Sequence, residues 1–189
     1  MSSLWILLTL AGCAKVGKQA DNKYQTEVKD AARLSEKPAA DGLVEQDIDI
    51  NGDGRTDVFN FYKERTGDAP RLLVRKETDL NMDGRVDVRS WFDETGKLDK
   101  EEIDGDFDSR VDRVDHYQAG KLVMSEIDTD YNGVFDLYKY YEGGKIRRKE
   151  RDTNGDGKID FWEYLDDQGN VVKTGKDVDG DGIMDVRDQ

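Results

Sequence analysis

Six nonapeptides in this chain place oxygen-bearing side chains at alternate positions, in the pattern D-x-[DN]-x-[DN]-[GS]-x-x-D. Loop 1 offers Asp49, Asn51, Asp53 and Asp57, loop 2 Asp79, Asn81, Asp83 and Asp87, and loop 3 Asp104, Asp106, Asp108 and Asp112. Loop 4 offers Asp128, Asp130, Asn132 and Asp136, loop 5 Asp152, Asn154, Asp156 and Asp160, and loop 6 Asp177, Asp179, Asp181 and Asp185. Such a set suits a hard cation. Calcium takes about six to eight oxygen ligands at about 2.3–2.6 Å, and side chains at positions 1, 3 and 5 converge on one ion if the chain turns sharply. Position 6 supplies the turn residue, Gly in five loops and Ser109 in the third. Position 7 adds a backbone carbonyl and position 9 a further side chain, often through water. Position 8 is Thr56, Val86, Val111, Phe135, Ile159 or Met184, apolar in five of six. A merely solubilising run of acids has no use for an apolar anchor there.

These loops resemble the calcium loops of EF-hands, and equally those of dockerins and thrombospondin type 3 repeats. The resemblance implies Ca2+ as cofactor, in up to six sites. A full EF-hand loop also carries a bidentate Glu at position 12. Only loop 5 has one, Glu163; the others have Asn60, Ser90, Asp115, Lys139 and Asp188. Magnesium suits the pattern less, because it keeps more of its waters and demands tighter octahedral geometry.

The loops start 30, 25, 24, 24 and 25 residues apart, which leaves about a dozen residues between most of them. Two ordinary helices and a linker do not fit in that span. Each interval instead opens on an aromatic-rich run, such as Val58-Phe59-Asn60-Phe61-Tyr62 or Leu137-Tyr138-Lys139-Tyr140-Tyr141. Aromatic and β-branched residues suit strands. A turn glycine follows in every copy (Gly67, Gly96, Gly120, Gly144, Gly169), then a more polar run leads to the next loop. An apolar residue, Leu73, Leu98, Leu122, Ile146 or Val171, stands six residues before the next loop. Glu77, Glu102, Glu126 or Glu150 stands two before it, with Gly175 in the last copy. The repeat reads as strand, glycine turn, strand, acidic loop. The expected fold is all-β, an antiparallel hairpin meander of about ten strands over residues 47–189, with a thin core.

The fourth residue after each loop is Phe61, Trp91, His116, Tyr140 or Tyr164. Strand alternation puts all five on one face as an aromatic ladder. Packing between strands is the plain use of such a ladder; a stacking surface for glycan or a protein partner, through Phe61, Trp91, Tyr140 and Tyr164, is the sharper one. His116 is the sole histidine and fills an aromatic slot, which reads as structural rather than as a zinc ligand or catalytic base.

Residues 4–11 form a short apolar run of signal-peptide length, too short to span a bilayer. Leu10-Ala11-Gly12-Cys13 resembles a bacterial lipobox. The resemblance implies removal of residues 1–12, acyl chains such as palmitate on Cys13, and anchoring outside the cytoplasm, with Ala14 pointing to the outer membrane. Cys13 is the only cysteine, so no intrachain disulfide can form. Residues 13–46 read as a tether with balanced charge. Within it, Tyr24, Val28, Ala31 and Leu34 fall at the spacing of a short helix.

The formal charge of −14 therefore lies beyond the tether, concentrated in the loops. It argues against nucleic acid as partner. No nucleophile motif accompanies the lone His and Cys, so the reading is non-enzymatic. The expectation is a lipid-anchored calcium-binding lipoprotein with a structural, adhesive or scaffolding role, joined by protein partners in the envelope. A glycan-binding module and a calcium sensor or buffer are the alternatives. Six bound calcium ions would take the formal charge from −14 to −2.

Overall fold

The structure is a computed structural model and describes residues 33–188. Over that range the chain forms one antiparallel sheet of 13 strands, laid down in sequence order so that each strand pairs with the next. The strands are β1 (Arg33–Pro38), β2 (Leu43–Asp49), β3 (Val58–Lys63), β4 (Leu72–Thr78), β5 (Val88–Phe92), β6 (Leu98–Ile103) and β7 (Arg113–Gln118). They continue as β8 (Lys121–Ile127), β9 (Leu137–Glu142), β10 (Lys145–Arg151), β11 (Phe161–Leu165), β12 (Val171–Lys176) and β13 (Val186–Asp188). The all-β hairpin meander read from the repeat is the observed fold. All six acidic loops connect strands at one rim of the sheet, and all the glycine turns lie at the opposite rim.

The sheet is longer than the repeat alone suggested. Strand β1 and most of β2 lie within residues 13–46, the stretch read as tether. Composition hid them, because Arg33–Pro38 carries no apolar alternation. Pairing makes them strands instead: Val44 lies opposite Tyr62, and Ile48 opposite Val58. Lys37 then bridges Asp47 at 2.9 Å and Glu45 at 3.2 Å across the first hairpin. Of the helical-spacing residues, Leu34 is in β1, while Tyr24, Val28 and Ala31 lie outside the described residues, as do the apolar leader and Cys13.

Each repeat also holds a β-bulge at the same place. Phe61 faces Arg75 and Tyr62 faces Leu73, so Val74 is an extra residue. The same slip recurs at Asp99, Val123, Arg147 and Val172. A bulge bends its strand and strengthens the local twist. The slip also carries Leu73, Leu98, Leu122, Ile146 and Val171 opposite Tyr62, Phe92, Tyr117, Tyr141 and Leu165, as one apolar row near the turn rim.

The core is thin. Among the described residues the buried apolar side chains are Val58, Phe61, Leu72, Val114 and Trp162. No second layer covers the sheet there, since each strand packs chiefly on its two sequence neighbours. Polar contacts take over much of the packing. Ser125 is wholly buried and donates to Asp115 Oδ1 at 2.6 Å, while Arg113 grips the same carboxylate at 2.9 and 2.8 Å.

The aromatic ladder exists on one face, with an unforeseen component. Phe61, Trp91, His116, Tyr140 and Tyr164 do not meet one another directly. The register runs Phe61, Arg75, Trp91, Lys100, His116, Met124, Tyr140, Arg148, Tyr164, Lys173, so that residues of the polar strands separate the rings. Arg75 lies over Phe61 at 3.9 Å and Arg148 over Tyr140 at 4.0 Å, with Lys100 over Trp91 at 5.1 Å and Lys173 over Tyr164 at 5.4 Å. Beside this row the glutamates balance the cations: Arg75–Glu77 at 3.2 Å, Lys100–Glu102 at 2.7 Å and Arg148–Glu150 at 3.1 Å. His116 Nε2 lies 2.7 Å from Glu126.

Candidate metal loops along one rim of the sheet

Each acidic loop is shaped by its own backbone amides. In loop 1, Asp49 accepts the N–H of Gly52 at 2.6 Å and of Gly54 at 2.9 Å. Asn51 accepts from Asp53 N at 2.8 Å, and Asp53 accepts from Arg55 N at 2.8 Å. Asp57 reaches back from position 9 to the amides of Ile50 at 2.7 Å and Asn51 at 3.3 Å. The same scheme holds in loop 3, where Asp104 takes Phe107 N and Ser109 N, both at 2.7 Å, and Asp112 takes Gly105 N at 2.6 Å. It recurs in loop 6 through Asp177 and Asp185. Position 9 is thus first a clasp that closes the loop. In loops 4 and 5 the clasp gains a hydroxyl, from Thr129 to Asp136 and from Thr153 to Asp160, at 2.8 Å in both.

Two residues per loop adopt the left-handed conformation. Position 6 is one, as the glycines foretold. Ser109 adopts it at φ 75 without glycine's freedom. Position 4 is the other, and there Met82, Phe107 and Tyr131 have φ 62, 67 and 62. The signal for position 4 was present in the sequence, as glycine at that position in loops 1, 5 and 6.

These backbone bonds leave carboxylate oxygens turned toward one another. Three groups have donor oxygens within 4.8 Å of each other: Asp104, Asp106 and Asp108; Asp128, Asp130 and Asp136; and Asp177, Asp179 and Asp185. Each group could hold a metal ion. All three lie in loops with Asp at position 3. Loops 1, 2 and 5 have Asn there, and Asn51, Asn81 and Asn154 each donate to the position-5 carboxylate (Asp53, Asp83 and Asp156) at 3.2–3.3 Å. The amide draws the two ligand positions together as a third acid would not. In loop 4 the roles are reversed, with Asn132 at position 5 donating to Asp130 at 3.1 Å. Position 5 of loop 6, Asp181, accepts from Ile183 N at 2.7 Å.

The electrostatics follow from this scaffold. Desolvation, joined by the charges of Asp108, Asp112 and Asp104, pushes Asp106 above the ordinary carboxylate range. For Asp128 burial works in the same direction, but the amides of Gly133 and Asn132 outweigh it and hold the carboxyl low. Asp177 is likewise held low against desolvation, by Gly182 and Gly180. A hydrogen bond from the Arg110 side chain, helped by that residue's amide, keeps Asp108 low. Positions 1 and 9 are buried in loops 1–3 (Asp49, Asp57, Asp79, Asp87, Asp104, Asp112), as is Asp128 in loop 4. In loops 5 and 6 the equivalent carboxylates, Asp152, Asp160, Asp177 and Asp185, are half-buried or exposed.

Glu163 stands apart from the loop it was expected to complete. It lies in β11 opposite Lys149, and its charged partners are Arg151 at 3.4 Å and Lys149 at 3.8 Å. The reason is the exit geometry. Position 12 is the third residue of a strand, and strand register places Asn60, Ser90, Asp115, Lys139, Glu163 and Asp188 in one row across the sheet, linked through Lys76, Glu101, Ser125, Lys149 and Thr174. Position 12 therefore serves the sheet, which explains why a lysine is tolerated there. Position 8 behaves as the anchor it was read to be, half-buried in all six loops. In the last repeat Met184 fills the space beside Gly175, its Sδ 2.5 Å from where a Cβ would stand. That contact accounts for glycine where the other copies have Glu.

The ladder residues Phe61, Trp91, Tyr140 and Tyr164 lie in one row across the strands rather than in the loops, and cations occupy their ring faces. A sugar ring stacking on these aromatics would have to displace those cations.

No protein-family model and no curated protein matches the sequence. Solved structures share only weak likeness. Accessory secretory protein 1,2 and 3 of Streptococcus pneumoniae aligns at 11% identity and TM-score 0.32, over 65% of this chain and 19% of that one. A TarM mutant of S. aureus, in complex with fondaparinux, alpha-GlcNAc-glycerol and UDP, aligns at 12% identity and TM-score 0.31, over 80% of this chain and 23% of that one. The chain thus spans about a fifth of the length of these structures, and at these scores they bear on neither its fold nor its chemistry.

Proposed function

We propose that this chain is a calcium-completed structural protein of the bacterial envelope, with Ca2+ in up to six rim loops and a lipid on Cys13 holding it outside the cytoplasm. The observation that carries the reading is the convergence of three carboxylates within 4.8 Å in each of three loops, at positions 1, 3 and 5 in loop 3 and at positions 1, 3 and 9 in loops 4 and 6. Oxygen-only donors favour calcium or magnesium over softer metals. Loops of this type add a position-7 carbonyl to the acids, which suits calcium's larger shell better than magnesium's octahedron.

The role is scaffolding rather than catalysis. The most enclosed hydroxyl, Ser125, is 0% exposed and bound to Asp115, so no substrate reaches it. A single-layer sheet offers two long faces to protein partners, the use that extended repeat surfaces serve elsewhere. Anchoring rests on Leu10-Ala11-Gly12-Cys13 and supplies the reason for a protein so acidic in its loops: extracytoplasmic calcium is abundant enough to fill weak sites, whose dissociation constants are about 0.1–1 mM.

Equilibrium dialysis against calcium, with magnesium as the control, tests the metal. The reading expects several calcium ions per chain at millimolar concentration and one fewer in the Asp104→Ala variant. No uptake at millimolar calcium would refute it. Palmitate labelling tests the anchor: label and membrane association should both disappear in Cys13→Ala.

A further inference from the structure

We propose that the rim loops take up calcium as two coupled blocks, loops 1–4 and loops 5–6, with Val134 as the break between them. The proposal rests on the calcium reading above and adds a regulation of those same sites.

Every loop is tied to the next. The position-1 amide of each loop donates to the position-9 carbonyl of the loop before it. The bonds are Asp79 to Asp57, Asp104 to Asp87 and Asp128 to Asp112, each at 2.8 Å, Asp152 to Asp136 at 2.9 Å and Asp177 to Asp160 at 3.0 Å. Both ends of every such bond belong to residues that offer ligands.

A second link runs through position 7, and it is not uniform. Arg110 of loop 3 donates to the carbonyls of Tyr131 at 3.0 Å and Asn132 at 3.2 Å in loop 4. Lys158 of loop 5 donates to Gly180 of loop 6 at 2.6 Å. Arg85 of loop 2 reaches the Ser109 hydroxyl of loop 3 at 3.2 Å. Between loops 1 and 2 the link is looser: Arg55 Nη1 comes within 3.8 Å of where a Cβ on Gly84 would stand, without a hydrogen bond, and Asn51 Nδ2 donates to Met82 Sδ at 3.2 Å. Loop 4 has Val134 at this position, 52% exposed and too short to reach loop 5. A cleft of about 580 Å³ opens there, between Thr129–Leu137 and Arg151–Gly155.

Position 7 is where a loop of this type gives a backbone carbonyl to its own ion. One residue therefore serves two sites, its carbonyl in one loop and its cationic side chain on the next. Filling the first loop fixes that residue, and the fixed side chain orders the carbonyl-bearing turn of its neighbour before the second ion arrives. Ordering that is already complete need not be supplied again, which is positive coupling. The side chain's charge opposes the next ion, but Arg110 is 52% exposed and that repulsion is screened by water and salt. A coupling on the order of tenfold in affinity per link is ordinary for such a device. Only the backbone bond spans the junction between loops 4 and 5, so coupling is weakest there.

The test is a calcium titration of the full chain followed by the amide signals at position 6: Gly54, Gly84, Ser109, Gly133, Gly157 and Gly182. The first four should move together with one midpoint and a Hill coefficient above one, and the last two together at a different midpoint. Val134→Arg should merge the two transitions, and Val134→Ala should leave them separate. Arg110→Ala should detach Gly133 from the first group and shift its midpoint about tenfold toward higher calcium. Six independent hyperbolic curves, or a single transition in the natural chain, would overturn the blocks. Amides that ignore calcium altogether would overturn the calcium reading instead.

Discussion

The body of the sheet and its loop rim handle charge in opposite ways. In the body, cations and anions are matched within the chain: Arg75, Lys100 and Arg148 each cover a ring and each meet a glutamate of their own strand. At the rim, acids crowd together and are restrained chiefly by backbone amides, with Arg110 on Asp108 an exception. A body balanced in this way needs nothing from outside. The rim gathers more acids than its position-7 cations can match, several of them in partly buried positions, and a bound cation relieves that excess. On the proposed reading, the difference separates what the chain folds by itself from what calcium would finish.

Substitutions at the two places should therefore respond differently to calcium. Asp79→Ala removes a buried carboxylate that accepts from Gly84 at 2.7 Å and Asp83 at 3.3 Å. Leaving those amides unpaired costs about 2 kcal/mol. Losing a site with a dissociation constant near 0.1 mM costs about 1.4 kcal/mol more at 1 mM calcium. Denaturant melts should show the larger loss in calcium and the smaller in chelator. Trp162→Ala, in the body, removes a ring that is 8% exposed and should cost about 3 kcal/mol. Its cost should be the same with calcium and with chelator. A calcium-dependent cost there would erase the distinction between body and rim.

Smaller effects sharpen the boundary. Gly175→Glu restores the residue of the other repeats but meets Met184, and overpacking of this kind costs about 2 kcal/mol. Pairing it with Met184→Val should recover most of the loss in the same melts. Ser109→Gly relieves a left-handed backbone at φ 75 and should stabilise the chain by about 0.5 kcal/mol. That gain should appear in full with chelator and be smaller with calcium, because the variant also loses the hydroxyl that Arg85 of loop 2 reaches at 3.2 Å.

Periodicity carried most of what was legible in the sequence. The constant loop spacing excluded paired helices, the turn glycines marked hairpins, and alternation placed Phe61, Trp91, His116, Tyr140 and Tyr164 on one face. What pairing alone decides was not legible. Strand β2 became visible only as the partner of β3 and β1 only as the partner of β2, and the bulge at Val74 and its equivalents depends on register between strands. The same holds for the cations of the ladder. Arg75 and Arg148 read as polar strand residues until register set each beside an aromatic ring. Glu163 marks the limit of the loop pattern. Its spacing suits an EF-hand ligand, but a strand leaving the loop turns that side chain toward Lys149.

The claim that calcium completes the rim is tested most directly by the melting temperature in 1 mM calcium against the same protein in chelator. Six sites at about 1.4 kcal/mol each contribute about 8 kcal/mol, which for a chain of this size corresponds to a rise of about 15 °C or more. Magnesium at the same concentration should give a much smaller rise. A melting temperature that is unchanged between calcium and chelator would contradict the account.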